Sequence, residues 1–521
     1  MNSGCFRRPI SALLLSVALA APAFAAQAPK MAEKEDPNAP VSYFKKIRPI
    51  LQAQCQGCHQ PAKAKGGYVM TDFARFLAGG EECTKDKKQA VVAKAPEKSF
   101  LIEQITPDHG ESEMPPKKGP LPEADIALIR RWISEGAVDD TPANARQRFD
   151  LDHPPVYQRP PAVTSLAFSP DGTLLAVAGF HEVLLWKADG SELVARLIGL
   201  SERIQSVRFS PDGKRLAAAG GRPAQMGEVQ IWDVEKHKLS LSVPVGFDTV
   251  YGVNWSPDGK VVSFGCPDNA VRAINADTGK QVLQQISHSD WVLDTVFTHK
   301  GDQLVSVGRD MSAKLTEVAT QRFIDNISSI TPGALRGGLQ TVARHPERDE
   351  FLVGGADGVP QAYRIVRKVQ RRIGDNALCI RKWPAMEGRI YTMAFAPDGK
   401  SFAAVSSLDG TGEVNFYNYD FNTEMPAEIL AIENKAGRTE DEKKMEEAHF
   451  TSDVKLLGSV PFNAGIFALS YQPDGKSVAV AGEDGKVRLI DAANAKVVKE
   501  FVPVPIGATS LATQTVKLES K

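Results

Sequence analysis

The sequence predicts a multidomain chain, a small all-α domain followed by an all-β propeller of seven blades. Three observations predict it. A C-x-x-C-H pentapeptide, Cys55-Gln56-Gly57-Cys58-His59, lies between two apolar patterns of helical spacing. Further on, a Pro-Asp-Gly turn recurs between short apolar strands, and its first two intervals are 41 and 46 residues, close to the roughly 40–45 of a four-stranded blade. Between these regions, Thr141 to Pro161 is rich in proline and charge and reads as a linker. With 521 residues, 42% of them hydrophobic, the chain is long enough for two or more cores.

The amino terminus reads as a secretory signal peptide, residues 1–25. Arg7 and Arg8 precede an apolar run from Ile10 to Ala20, and Ala23-Phe24-Ala25 supplies the cleavage site. The twin arginine lacks the rest of its pattern, and Cys5 stands before the apolar run, where a lipobox cysteine does not stand, so ordinary secretion to the periplasm is expected. The run is too short to span a bilayer and no later stretch is longer, so no transmembrane anchor is expected. Residues 26–40 form a linker. A net charge of −1 gives no footprint for nucleic acid or another polyanion.

The helical domain is placed at residues 41–140. Val41, Phe44, Ile47 and Leu51 fall at helical spacing after Pro40, with Pro49 bending the helix just before the cysteines. At the far end Leu121-Pro122-Glu123-Ala124-Asp125 supplies a helix start, Ile126, Ile129 and Ile133 an apolar face, and Gly136 a stop. Two thiols one turn apart, followed by an imidazole, are the pattern on which haem is attached by two thioethers. Cys55 and Cys58 are therefore expected to hold one haem c per chain covalently, with His59 the proximal iron ligand. A zinc site would need two further ligands, and no second C-x-x-C or H-x(3-5)-H follows. Met114-Pro115-Pro116 lies in a loop whose thioether is the expected distal ligand; His109, Met70, Lys117 and Lys118 are its rivals. Of six cysteines, Cys5 leaves with the signal and two go to haem. The three that remain allow no full disulfide framework: Cys266 and Cys379 are expected buried, Cys83 exposed and reactive in a charged loop.

Ile47-Arg48-Pro49-Ile50-Leu51, the pentapeptide, Lys65-Gly66-Gly67, Gly79-Gly80, Ser99-Phe100-Leu101-Ile102, Met114-Pro115-Pro116 and Leu121-Pro122 through Gly136 resemble the planctomycete-type cytochrome c domain over about a hundred residues. The resemblance implies a small all-α, class I-like, monohaem electron-transfer module, usually fused to other extracytoplasmic domains. The departure is local: Glu81-Glu82-Cys83 through Lys88 and Ala93-Lys94-Ala95-Pro96 replace the family's glycine-rich turn and Pro-Gly.

Residues 162–506 form the propeller, with 507–521 as a tail. Its turns are Ser169-Pro170-Asp171-Gly172, Ser210-Pro211-Asp212-Gly213, Ser256-Pro257-Asp258-Gly259, Ala396-Pro397-Asp398-Gly399 and Gln472-Pro473-Asp474-Gly475. Thr298-His299-Lys300-Gly301 and His345-Pro346-Glu347-Arg348 are degenerate members, which makes seven units. Leu185-Trp186-Lys187, Ile231-Trp232-Asp233, Phe416-Tyr417-Asn418 and Ile490-Asp491 end third strands, and Asp268, Asp310, Asp357, Asp409 and Asp484 occupy tight turns. In this the region resembles a WD-repeat propeller, where such acids stabilise the turn. The 76 residues from Pro397 to Pro473 place an insertion at about 421–454, whose run from Arg438 to Glu447 suggests a short exposed helix, either a solvated face or a docking surface. Ring closure is open between Val156-Tyr157 and the tail.

These readings favour a single-electron carrier whose propeller docks a redox partner protein of unknown identity, with no catalytic residue of its own. The alternatives are a propeller-borne extracytoplasmic enzyme or a haem-based sensor using the cytochrome as its redox partner. His181, His237, His288, His299, His345 and His449 have no ligand spacing for a second haem, and no G-x-S-x-G supplies a nucleophile elbow.

Overall fold

The computed structural model describes residues 39–60, 63–116, 119–142, 149–329, 336–370, 376–435 and 437–507. The expected signal peptide, most of the first linker, Lys117, Lys118 and the tail from 508 lie outside the described residues. From Val41 onward the chain folds as one unit, so the helical region and the sheets pack on one another.

The first helix begins at Ser42, whose Oγ accepts from the Lys45 N–H at 2.9 Å. The chain winds as a π turn, Tyr43–Ile47, then tightens into α1, Arg48–Gln54. The change of winding falls at Pro49, which has no N–H to give the carbonyl four residues back. It also corrects the expected apolar face. Tyr43, Ile47 and Leu51 are the buried set, whereas Phe44 is half-buried with the Arg48 guanidinium 5.2 Å from its ring centre. Helices α2 (Phe73–Ala78), α3 (Glu81–Lys85) and α4 (Phe100–Ile105) follow, then α5 (Glu123–Ser134). The last runs as the sequence predicts: acids in its first turn, Ile126, Ile129 and Ile133 buried, and Gly136 at φ +113° beyond its end. It packs on the π turn, and Trp132 lies against Tyr43 and Phe76 at ring separations of 5.5 and 6.0 Å in the domain core.

Cys83 departs from expectation. The charged stretch folds as α3 and turns this thiol inward under Gly79, leaving it 4% exposed, and burial pushes its pKa up. Cys266 and Cys379 are buried as expected, each pushed up to about 12 by burial.

Beyond the linker the described residues form a largely β region of antiparallel sheets. One sheet has seven strands, from Leu166–Phe168 to Lys238–Pro244; five four-stranded sheets span 251–285, 292–326, 339–382, 389–462 and 466–501. The seven-stranded sheet is two units joined by one 17-residue strand, Leu193–Phe209, which pairs with Phe180–Lys187 along its first half and Arg215–Arg222 along its second. The first strand of each unit packs on that of the next, and Ile466–Tyr471 packs on Leu166–Phe168.

The Pro-Asp-Gly turns behave alike. Each glycine lies near φ +70°, and the aspartate Oδ1 accepts the N–H two residues on, as Asp171 does from Thr173 at 3.0 Å. The turns also stack: Pro170 lies against Gly213, Pro211 against Gly259, Pro257 against Gly301, Pro397 against Gly475, and Pro473 of the last unit against Gly172 of the first. In the degenerate units histidines take this place, His299 on the His345 carbonyl at 3.0 Å and His345 on that of Gly399 at 3.1 Å. At the junction of first and last units Val163 N–H donates to Gly482 O at 2.9 Å, and Tyr157 bridges Ile506.

Among the tight-turn acids Asp268, Asp357 and Asp484 each accept the N–H two residues on, whereas Asp310 accepts that of Ser289, from the loop before the first strand of its sheet. Asp409 does not share that bond; with Gly410 it forms a two-residue hairpin loop at φ +49° and +81°, so its backbone conformation is its contribution. Asp310 Oδ1 meets His288 Nδ1 at 2.9 Å, and His288 Nε2 meets Ser306 Oγ at 2.8 Å. The three side chains are arranged as a hydrolytic triad, but Ser306 is 0% exposed, so no substrate reaches it and the group serves the fold.

The insertion is more than one exposed helix. Helices α6 (Ala427–Glu433) and α7 (Glu440–Phe450) pack on each other, α7 opening with a capping box from Thr439 and Glu442. It lies on the outer strand Cys379–Lys382, burying Phe450 and pairing Glu447 with Lys382 at 3.2 Å.

Replacing His288 by Ala removes the imidazole bond to the buried Asp310 carboxylate, leaving those from Ser312 and Ser289, and is expected to cost about 1–3 kcal/mol in denaturant unfolding. Burial opposes ionisation of Asp310, but the bonds from His288, Ser312 and Ser289 overcome it and hold the pKa at about 2. That contribution is complete above the unfolded value of 3.8 and is lost as pH falls toward 2. Acid unfolding followed by circular dichroism should therefore move to higher pH in His288→Ala.

Candidate haem site and its contact with the sheets

The pentapeptide is wound onto the end of α1. The Cys55 N–H donates to Leu51 O at 2.9 Å, Cys58 to Cys55 O at 3.1 Å and His59 to Cys55 O at 3.2 Å, so the turn continues the helix and sets the two thiols one turn apart. Neither thiol is in a disulfide among the described residues, and both are half-buried. His59 then opens a two-stranded ribbon, His59–Gln60 with Lys63–Ala64, and its carbonyl accepts the Met70 N–H at 2.9 Å. Its ring lies 5.3 Å from that of Tyr68, and its buried Nδ1 has no hydrogen-bond partner among the described residues. Burial pulls the imidazole pKa down and favours the neutral ring that a metal requires.

Met114 hangs beside α4. Its N–H donates to Gln104 O at 2.9 Å and its carbonyl accepts from Ser112 Oγ at 3.0 Å. The half-buried thioether packs against the same core as Cys55. The rivals separate from it: the His109 side chain is 97% exposed, and Met70 is buried in the core on the His59 loop.

The family model described as Planctomycete cytochrome C matches residues 55–118, from the first cysteine of the pentapeptide to just past Met114. Models described as WD domain, G-beta repeat and as anaphase-promoting complex subunit 4 WD40 domain match residues 155–185 and 462–511. The chain is a planctomycete-type cytochrome c domain fused to a WD-repeat region.

Among curated proteins it is similar to eukaryotic translation initiation factor 3 subunit I of Danio rerio, 22% identical over 203 residues, 37% of this chain and 59% of the relative. It is also similar to coronin-7 of Homo sapiens, 34% over 140 residues, 25% of this chain and 15% of the relative, and of Mus musculus, 31% over 187 residues, 33% and 20%. The chain thus spans between 15% and 59% of the length of these relatives. The two domain types point to electron-transfer and protein-interaction roles. A haem c takes two thiols, an imidazole and one more donor to its iron, and the cytochrome c domain offers two thiols outside any disulfide, an imidazole that burial holds toward its neutral form with an orphaned ring nitrogen, and a thioether. The donor set fits the group.

The sequence carries no signal for where the cytochrome c domain meets the WD repeats. Gly57, the central residue of the pentapeptide, lies on the outer strand Lys238–Pro244; a Cβ there would stand 2.5 Å from the Ser242 carbonyl oxygen. Behind it Ser242 Oγ donates to the buried Glu228, which also accepts from Ser201 and Gln230 at 2.7 Å each. The strand is held from beneath, so the loop must accommodate it.

Gly57→Ala is accordingly expected to destabilise the chain by about 1–3 kcal/mol and to speed proteolysis within residues 141–161 as the contact opens. Unchanged cleavage in a folded variant would mean that the contact is not maintained in solution.

Proposed function

We propose that this chain is an exported, periplasmic, monohaem c-type cytochrome that passes single electrons, with its WD repeats forming a closed seven-bladed propeller that docks a redox partner protein. The observation that carries the reading is the turn ending α1, which sets the Cys55 and Cys58 thiols and the His59 imidazole within one turn, with Cys55 packed against the core that also holds Met114. Cys55 and Cys58 would hold haem c, one per chain, through thioethers, and His59 and Met114 would be the residues that ligate its iron. The bound haem supplies a one-electron couple. The chain favours neutral His59 by burial and holds Met114 by its backbone bonds with Gln104 and Ser112, so that its thioether would be available to the iron in place of water. A position filled by protein favours electron exchange over bond-making at iron.

Closure of the propeller is supported by the cyclic stacking of Pro-Asp-Gly turns, which returns from Pro473 to Gly172, and by the bonds between first and last units. Export rests on Arg7, Arg8, the apolar run Ile10 to Ala20 and Ala23-Phe24-Ala25. No helix among the described residues is long and apolar enough to cross a membrane.

The deciding measurement is the visible and near-infrared spectrum of the protein purified from the periplasm, with a pyridine haemochrome count. One haem per chain, low-spin, with a methionine-to-iron band and no response to carbon monoxide, is expected. Met114→Ala should bind carbon monoxide and have a lower reduction potential. A high-spin wild-type spectrum that shifts with carbon monoxide would replace the carrier by a sensor or an enzyme.

A further inference from the structure

Where the cytochrome c domain meets the first two WD units there is a cavity of about 550 Å³, within the size range of small-molecule sites. One wall is α1 and its continuation: Arg48, Gln52 and Gln56, spaced four residues apart, form a polar stripe along one side of the helix, the last of them inside the haem-attachment pentapeptide. The facing wall carries His181 and Arg222.

Two observations mark this cavity as built for a ligand. His181 is 7% exposed, and its ring packs on Phe149 and Phe180 at 4.6 and 4.3 Å without a hydrogen-bond partner among the described residues. It is held at φ +65°, at the register shift of its strand, a conformation that non-glycine residues keep where the surroundings enforce it. On the cytochrome side Thr71 is 6% exposed and its Oγ1 likewise has no partner. Two buried polar groups from different domains thus line the same space, each lacking the bond that buried polar groups almost always make.

The chemistry around them is that of a donor-rich pocket. The cavity's three carboxylates are matched in number by Arg48, Arg75 and Arg222, and one oxygen of each is engaged: Asp72 Oδ1 accepts the Arg75 N–H at 2.9 Å, Asp139 Oδ1 that of Thr141 at 2.9 Å, and Asp150 Oδ1 those of Asp152 and His153 at 3.0 and 2.8 Å. Arg48 and Arg222 contribute positive charge whatever their own partners are. Burial, reinforced by the Arg222 charge, holds His181 neutral with a pKa down to about 4, so near neutral pH it offers one N–H. A ligand rich in acceptors and carrying negative charge satisfies all of these groups together.

We propose that this interdomain cavity binds a small oxyanion, a carboxylate or a phosphate-like group, bonded by Thr71 from the cytochrome c domain and His181 from the WD repeats. The site needs both domains, so its occupant also fastens one to the other. Isothermal titration calorimetry of the full mature chain, with succinate and with inorganic phosphate at matched ionic strength against chloride, tests it. One anion per chain is expected for at least one of the two probes. Thr71→Val, an isostere without the hydroxyl, and His181→Asn, which tolerates the left-handed backbone, should each weaken binding about tenfold. Absence of heat beyond the chloride control overturns the proposal, as does wild-type affinity in both variants once thermal unfolding has shown them folded.

Discussion

The second strand of every WD unit is buried along nearly its whole length. Leu174–Ala178, Arg215–Arg222, Val261–Gly265, Gln303–Gly308, Glu350–Gly355, Ser401–Leu408 and Ser477–Gly482 each keep four or more consecutive residues from solvent. Alternate side chains of a strand point to opposite faces, so an unbroken buried run needs a layer on both sides. No single four-stranded sheet supplies that. Each unit depends on a neighbour before and after it, which explains why the units recur at one period and why the stacking passes from the last turn back to the first. Gly-Pro contacts, His299 and His345 are then variations on one requirement: adjacent turns must nest closely enough for the strands behind them to exclude water.

The cytochrome c domain obeys a different constraint. Its helices are short, four of the five having seven residues or fewer, so little of their stability is local and most comes from packing. Tyr43, Phe76 and Trp132 supply the large surfaces; His59 is held by the ribbon it opens and by the Met70 N–H on its carbonyl, and Met114 by the bond from its N–H to Gln104 of α4. The fixed floor is the outer strand Lys238–Pro244, held by Ser242 on Glu228. Against it the pentapeptide fits because its central residue has no side chain, so the close backbone approach at Gly57, with the ribbon strand Lys63–Ala64 on the same outer strand, sets the Cys55–His59 turn against the sheets.

What was legible in the sequence is what local chemistry dictates. Pro-Asp-Gly writes its own turn, Glu123 through Gly136 writes a helix start, face and stop, and spacing alone put Cys55, Cys58 and His59 on one turn. The misses share a cause. Phe44 was expected on the buried face because an α-helix was assumed up to Pro49, and the π turn substitutes Tyr43. Cys83 looked exposed because its neighbours are charged, yet those charges occupy the outer side of a one-turn helix and leave the thiol under Gly79. The insertion read as a charged helix; Phe450, beyond the charged run, is what seats it on a sheet. In each case tertiary packing chose among options that composition left equal. The interdomain cavity had no signal beyond the spacing of Arg48, Gln52 and Gln56, which is equally the mark of a solvated face.

Both additions to the repeat, the cytochrome c domain and the helical insertion, rest on outer strands, at Lys238–Pro244 and Cys379–Lys382. Physical necessity explains the choice. Inner strands are packed against the next unit and middle strands are hydrogen-bonded along both sides, whereas an outer strand has one unpaired edge and more solvent around it. The outer strands Leu456–Phe462 and Lys496–Phe501 have no fully buried residue, with Leu456, Leu457 and Val498 more than half exposed. A protein partner meets the least resistance there, because its contacts replace water without displacing any packing on which a neighbouring unit depends. The cytochrome c domain on one outer strand and the helical insertion on another therefore leave the packing between units undisturbed.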